Sequence, residues 1–229
     1  MVKKNILIVV AHPDDEVLGC GGIIAKYSET NNFYTCILSG TVEAREKRPE
    51  LEELWENINK ANSILGIKKT FLGKFPNIKF NNVDHLEMVK FIEEIIIEIQ
   101  PEIVLTHHPN DLNNDHLHTS QTCQAASSLY LRRNDLKPIK YLGFMEVLSS
   151  TEWSYSNSNS NYQPNTFIEL SEEHLDKKIK ALNAYKDVMR SWPHPRSEEV
   201  LKSLAILRGT QMGAKYAESL QAIFQKLEL

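Results

Sequence analysis

The chain has 229 residues, with 26 Lys and Arg against 30 Asp and Glu for a formal charge of −4, and is 41% hydrophobic and 24% charged. At that length one domain is the default, and its core is large enough to fold without a metal staple. A mildly acidic balance with no basic run argues against a nucleic-acid partner, because counterion release from a phosphate backbone needs a clustered basic footprint.

In chain order, Met1-Val2-Lys3-Lys4 opens into a short apolar run without a small-residue cleavage site, and no later stretch reaches the ~18 apolar residues of a membrane span. The expectation is a cytoplasmic protein with no membrane span. Asn5-Ile6-Leu7-Ile8-Val9-Val10 is continuous and β-branched, the pattern of a strand buried on both faces of a parallel sheet. A helix follows through Leu18 to Ser28, and Phe33 to Leu38 reads as a second strand. Leu51, Leu54, Trp55, Ile58, Ala61 and Leu65 then recur at helical spacing until Gly66 supplies the stop. Thr70-Phe71-Leu72 gives a short third strand. Leu86, Val89, Ile92, Ile95, Ile96 and Ile99 trace another helix, ended by Pro101, and Glu102 to Thr106 is the fourth strand. Tyr141 to Leu148 reads as a fifth strand, Thr151 to Asn165 as a Ser/Asn/Tyr-rich loop, and Phe167 to Leu170 as a last short strand. Helical patterns near 172–190, 197–208 and 214–227 complete the chain, broken by Pro193, Pro195 and Gly209.

This alternation predicts an α/β fold: a Rossmann-like, mainly parallel sheet with flanking helices and a helical C-terminal part. The expected organisation is a single domain over 1–229, with an α/β core to residue 150, then a loop, a strand and C-terminal helices. Helices 172–190 and 214–227 either cover the core or form a homo-oligomer seam, and periodicity does not distinguish the two. Ligands in such folds bind at the carboxyl ends of strands, here just after residues 10, 39 and 106. Cys20, Cys36 and Cys123 lie in apolar segments with no Cys-x-x-Cys pair and read as reduced core residues.

The first strand ends in Ala11-His12-Pro13-Asp14-Asp15-Glu16, followed by Gly19, Gly21 and Gly22. Acids at a helix start are often plain capping. His12 tips the balance, because Pro13 holds it extended while the acids open the next turn, so one loop offers a nitrogen and two oxygens. Gly19-Cys20-Gly21-Gly22 is not G-x-G-x-x-G, and its glycines read as close packing of helix on sheet. Four of the eight histidines (His107, His108, His116, His118) fall within twelve residues after the fourth strand, at the same sheet edge as His12 and Asp15. Two histidines and a carboxylate there suit zinc with an open position for water, and non-haem Fe2+ uses the same set.

The string AHPDDE after a buried strand, with Asp115-His116 about a hundred residues later, resembles the LmbE-like or PIG-L family of metal-dependent N-deacetylases. That family includes the enzymes that deacetylate N-acetylglucosaminyl-phosphatidylinositol and the mycothiol and bacillithiol precursors. The resemblance covers the region to about residue 150. Asp111-Leu112-Asn113-x-Asp115-His116 and Trp192-Pro193-His194-Pro195-Arg196-Ser197 are most similar to branches found with bacterial surface-polysaccharide genes. It implies metal ligands at His12, Asp15 and His116 and a general base at Asp14. Where many members carry a histidine three residues before the last ligand, this chain has Asn113, whose amide can donate to an oxyanion but cannot deliver a proton. Asp14 then serves as base and acid in turn, and His194 is a candidate stand-in for the absent imidazole.

The expected activity is zinc-dependent removal of acetyl from an N-acetylated sugar, free, nucleotide-linked or lipid-linked. The alternatives are an amidase acting on a thiol conjugate or other small amide, and a non-catalytic metal-dependent sugar-binding module. For substrate contacts the sequence offers Arg45 and Arg48 after the second strand, Arg132 and Arg133 after the helix that follows His116, and Arg196 by resemblance. Trp153, Tyr155 and Tyr162 in the polar loop are candidates to stack on a sugar face.

Overall fold

The computed structural model describes residues 3–40, 50–155 and 161–227. Asn5–Val10 (β1) is followed by Asp15–Tyr27 (α1), Asn32–Ile37 (β2), Leu51–Leu65 (α2), Lys69–Leu72 (β3), His85–Ile99 (α3), Ile103–His107 (β4), Asn114–Ser127 (α4), Tyr141–Met145 (β5), Thr166–Leu170 (β6), Glu172–Leu182 (α5), Glu198–Thr210 (α6) and Tyr216–Gln225 (β7). The strands form one seven-stranded sheet in the order β3-β2-β1-β4-β5-β7-β6. Neighbours among β1 to β5 pair in parallel, and β7 runs antiparallel to both β5 and β6. The expected mainly parallel α/β sheet is therefore present.

The continuous apolar run of β1 is explained by its place between β2 and β4, where Leu7, Ile8, Val9 and Val10 are wholly buried. Ile6, Ile8 and Val10 face one core, shared with α1, α2 and α5. Leu7 and Val9 face the other, shared with α3 and α4. α1 is buried from Asp15 to Ala25. Its glycines allow this approach, since a Cβ at Gly19 would collide with Met145 and one at Gly22 with Leu170. Gly66 ends α2 at φ 81, as its position predicts. Cys20, Cys36 and Cys123 are all buried and unbridged. Among the described residues no helix is long and apolar enough to cross a membrane.

The C-terminal part departs from the sequence reading. Residues 214–227 carry no helix: Tyr216–Gln225 is the long strand β7, and 172–190 is helical only to Leu182. The spacing of Ala217, Leu220 and Phe224 imitates a helical face, but an intrinsic pattern is a weak prior against tertiary demand. The edge of β5 needs a hydrogen-bonding partner, and β7 supplies the ladder to both β5 and β6. After residue 150 the described residues thus carry two strands, β6 and β7, and two helices, α5 and α6, where one strand and three helical stretches were expected.

Adjacent strands β1, β4 and β5 all run the same way, so the loops that leave their carboxyl ends meet above one edge of the sheet.

Candidate metal centre

The loop after β1 carries a left-handed residue. Asp14 has φ 100, a conformation that a non-glycine side chain adopts only when held. The Asp14 N–H donates to Glu16 Oε2 at 3.1 Å, and Glu16 Oε1 accepts from the Tyr185 hydroxyl at 2.5 Å. Burial lifts the Glu16 carboxyl to about 8, against the pull of the Tyr185 hydroxyl. Asp14 occupies the N-cap position of α1 without a side-chain capping bond, so capping does not account for its carboxylate. That carboxylate instead meets Arg196, with Nη1 3.0 Å from Oδ2.

His12, Asp15 and His116 converge. One ligand atom from each lies within 4.8 Å of the others, and all three residues are buried. Asp15 Oδ2 stands 3.2 Å from His12 Nδ1 and 3.3 Å from His116 Nε2. Three donors sharing one ion through bonds of about 2.0–2.2 Å stand roughly 3–3.5 Å apart, so the set fits a divalent cation.

The far nitrogen of each imidazole is already engaged. His116 Nδ1 is 2.9 Å from Asp111 Oδ2, and His12 Nε2 is 3.0 Å from Asp115 Oδ2. Such a carboxylate fixes the tautomer and turns the other nitrogen toward the metal. Asp115 is itself anchored by the N–H groups of Ile78 and Phe80. Neither supporting acid was assigned a role from sequence, although both stand in the string that names His116; which acid meets which histidine depends on the fold.

The carboxylates of the cluster favour positive charge at its centre. Burial disfavours charge on His116, but Asp15 and Asp111 outweigh it and raise the imidazole to about 9. Burial likewise opposes the charge on Asp15, yet the neighbouring His116 and His107 hold its carboxyl well below the usual range. His107, with Asp111 and His116, forms a second grouping of donor atoms. Its Nε2 accepts from the Ala11 N–H at 2.9 Å, and its ring stacks on His116 at 3.7 Å between centroids. Burial pushes His107 down to about 4, and the bond its Nε2 accepts from Ala11 ties it to the loop after β1.

A cavity of about 90 Å³ opens beside these ligands, lined also by Asp14, Asn77, Asn113, Ser149 and Arg196. It has room for a group of acetamido size. Asn113 caps α4 by accepting from the Asp115 N–H at 2.9 Å through its Oδ1, which leaves its amide nitrogen as the group able to donate. Asn77 was not anticipated: it is 1% exposed, and both Oδ1 and Nδ2 lack a hydrogen-bond partner among the described residues. Nothing in Phe75-Pro76-Asn77 marks it out before the chain is folded.

The remaining candidates scatter. His194 does not line the cavity; its Nδ1 accepts from the Arg196 N–H at 3.0 Å, and Trp153 packs edge-on against its ring at 6.0 Å. Burial, with Arg196 and Arg190 nearby, lowers the His194 pKa. Tyr155 is exposed, while Tyr162 donates its hydroxyl to the Ser219 carbonyl at 2.8 Å. Arg132 and Arg133 pair at the surface with Glu93 and Asp135. Arg45 and Arg48 lie outside the described residues.

A family model described as GlcNAc-PI de-N-acetylase (PIG-L) matches residues 7–127, more than half of the 229-residue chain. The chain belongs to this family. Diacetylchitobiose deacetylase of Thermococcus kodakarensis is 24% identical to this PIG-L family member, over 96% of the chain and 83% of the relative. The solved structure of the conserved protein TT1542 from Thermus thermophilus shares the fold with a TM-score of 0.78 at 24% identity, covering 99% of this chain and 97% of the other. So does GalB, a 4-carboxy-2-hydroxymuconate hydratase from Pseudomonas putida, with a TM-score of 0.74 at 21% identity over 99% and 98%. These structural likenesses speak to the fold, and the chemistry has to be argued from the site.

Proposed function

We propose that this PIG-L family member hydrolyses the N-acetyl amide of an N-acetylated sugar, free or linked to a nucleotide or lipid, giving a free amine and acetate. The carrying observation is the convergence of His12, Asp15 and His116 with the carboxylate of Asp14 beside them on one cavity. Zinc is the proposed ion, and Fe2+ suits the same donors. A divalent ion held by His12, Asp15 and His116 would lower the pKa of water from 15.7 toward about 7 and would polarise the amide carbonyl.

Asp14 takes a proton from the attacking water and returns it to the amide nitrogen as the C–N bond breaks, so the amine departs neutral and the acyl group departs as acetic acid, which gives its remaining proton to solvent and becomes acetate. The Asn113 amide donates toward the developing oxyanion. Asn77 offers an unpaired donor and an unpaired acceptor to the substrate, a pairing that a sugar hydroxyl or the acetamido group satisfies. The acetamido group enters this cavity and the rest of the sugar rests at its mouth, where Trp153 is the proposed neighbour, while Arg196 on the cavity wall is engaged with Asp14. Arg45 and Arg48 are kept as candidate contacts for a linked phosphate. His194 is the proposed neutral member of that rim, its ring resting against Trp153.

The diacetylchitobiose deacetylase relative supports a sugar amide as substrate. The test is metal analysis of purified protein coupled to an acetate-release screen over N-acetyl sugars, their nucleotide and lipid conjugates, and thiol-conjugate amides. Metal-dependent acetate release from a sugar is the expected result. Release only from a thiol conjugate or another small amide would replace the sugar reading, and a fully metal-loaded protein that binds sugars without turning any over would leave a binding module.

A further inference from the structure

We propose that Arg196 is a positioning residue acting through Asp14: its guanidinium ties the carboxylate of the base to the cavity wall and sets the direction in which Asp14 exchanges its proton. The inference rests on the deacetylase reading above and adds to it a residue from the C-terminal segment.

The guanidinium spans two loops. Nη1 lies 3.0 Å from Asp14 Oδ2, and Nε donates to Ser149 Oγ at 2.7 Å. Both ends are anchored. Ser149 sits in the left-handed region at φ 67, with its N–H held by Glu152 Oε1 at 2.6 Å. The Arg196 backbone is pinned by its N–H to His194 Nδ1 at 3.0 Å and by its carbonyl accepting from the Arg190 N–H at 3.2 Å. The next residue, Ser197, is the N-cap of α6 and is wholly buried. A three-quarters-buried planar fork on such a base is a rigid strut, and its bond to Asp14 is charge-assisted.

Arg196 Nη1 is one constraint on the Asp14 side chain. The Asp14 backbone is held in the left-handed region by Glu16 and Tyr185, which does not set the side-chain rotamer. Proton transfer requires an Asp14 oxygen within about 2.6–3.2 Å of the donor, and a misplacement of about 1 Å can cost about a hundredfold in rate. An anionic substrate group using the same guanidinium would have to compete with Asp14 for it. Arg196 therefore bears on turnover more than on ground-state affinity.

The test compares Arg196→Ala, Arg196→Gln and Arg196→Lys in the zinc-loaded protein, reading kcat, KM, bound metal and the crystal structure of each. Expected are an unchanged metal content, KM within about threefold, and a kcat lowered about tenfold to a hundredfold in the Ala and Gln variants. Added guanidinium ion should restore turnover to Arg196→Ala better than the Lys variant restores it, and Asp14 should leave its rotamer in Arg196→Ala. A KM increase at constant kcat would make Arg196 a substrate contact instead, loss of metal would make it a support of the cation site, and an unmoved Asp14 carboxylate in the Ala crystal would refute the tie. Should the wild type hydrolyse no amide, the deacetylase reading falls by itself, and the crystal structures still decide whether Arg196 holds Asp14.

Discussion

Asp111 Oδ2 lies 2.9 Å from Nδ1 of His116 and turns the opposite nitrogen of that ring toward Asp15. Asp115 does the same for His12 from a different turn of the chain. The candidate cation site thus has two layers, with Asp111 and Asp115 behind the two histidines.

The first prediction concerns that outer layer. Asp111→Asn keeps the size of the side chain but loses the charge that lifts His116 and fixes its tautomer. Zinc affinity, measured by competition with a chromophoric chelator, should fall by about 10–100-fold while the fold survives. An affinity equal to that of the wild type would mean that Asp111 has no part in orienting His116.

Replacing the base should separate chemistry from metal binding. Asp14→Asn removes the proton acceptor without touching a ligand, so metal content should stay stoichiometric while kcat drops by about two to four orders of magnitude. His116→Ala should lose the metal as well as the activity. Near-normal turnover by metal-loaded Asp14→Asn would show that another group is the base.

Asn113 has two roles that substitution can pull apart. Asn113→Ala loses the cap of α4 and should lower stability by about 0.5–2 kcal/mol in addition to its effect on rate. Asn113→Asp keeps a capping oxygen for the Asp115 N–H but has no amide donor, so its melting temperature should stay near wild type while kcat falls. Equal kcat in Asn113→Asp and wild type would remove the oxyanion role.

Much of the centre was legible because it is local. His12, Asp14 and Asp15 share one loop after a strand whose apolar run reveals its burial, and the strand pairing of β1 with β4 carries His116 to the same edge. What stayed hidden depends on chain segments far apart. Arg196 and Asp14 are 182 positions apart, and their contact is made by a C-terminal turn that no periodicity describes. The unpaired state of Asn77 exists only once the loop after β3 is folded over α4. β7 was misread because Ala217, Leu220 and Phe224 fit a helical stripe, whereas Glu218 is buried to receive the N–H groups of Gly22 and Ile23 and the Lys178 ammonium. A buried acid on a strand looks, in sequence, like the solvated face of a helix.

The last prediction is a stability of the metal-free protein that falls with rising pH, with a gain on adding zinc that rises over the same range. His116 is raised from 6.5 to about 9 in the folded, metal-free chain, so the folded state holds its proton more tightly than the unfolded state. The stability this contributes is fully present below 6.5 and is lost as pH rises through about 9. Glu16 acts in the same sense over a lower window, from 4.5 to about 8. His107, depressed from 6.5 to about 4, contributes above 6.5 and fades only as pH falls toward 4, so it does not offset the loss on the alkaline side. Melting temperatures in a chelator should therefore decline between pH 6.5 and 9. A bound cation displaces the His116 proton, so the rise in melting temperature on adding zinc should grow over the same interval. Parallel scans with chelator and with zinc at several pH values check both trends. A chelated protein whose melting point holds or climbs with pH would mean that Asp15 and Asp111 do not keep His116 charged, and the electrostatic case for a cation at this place would lose its support.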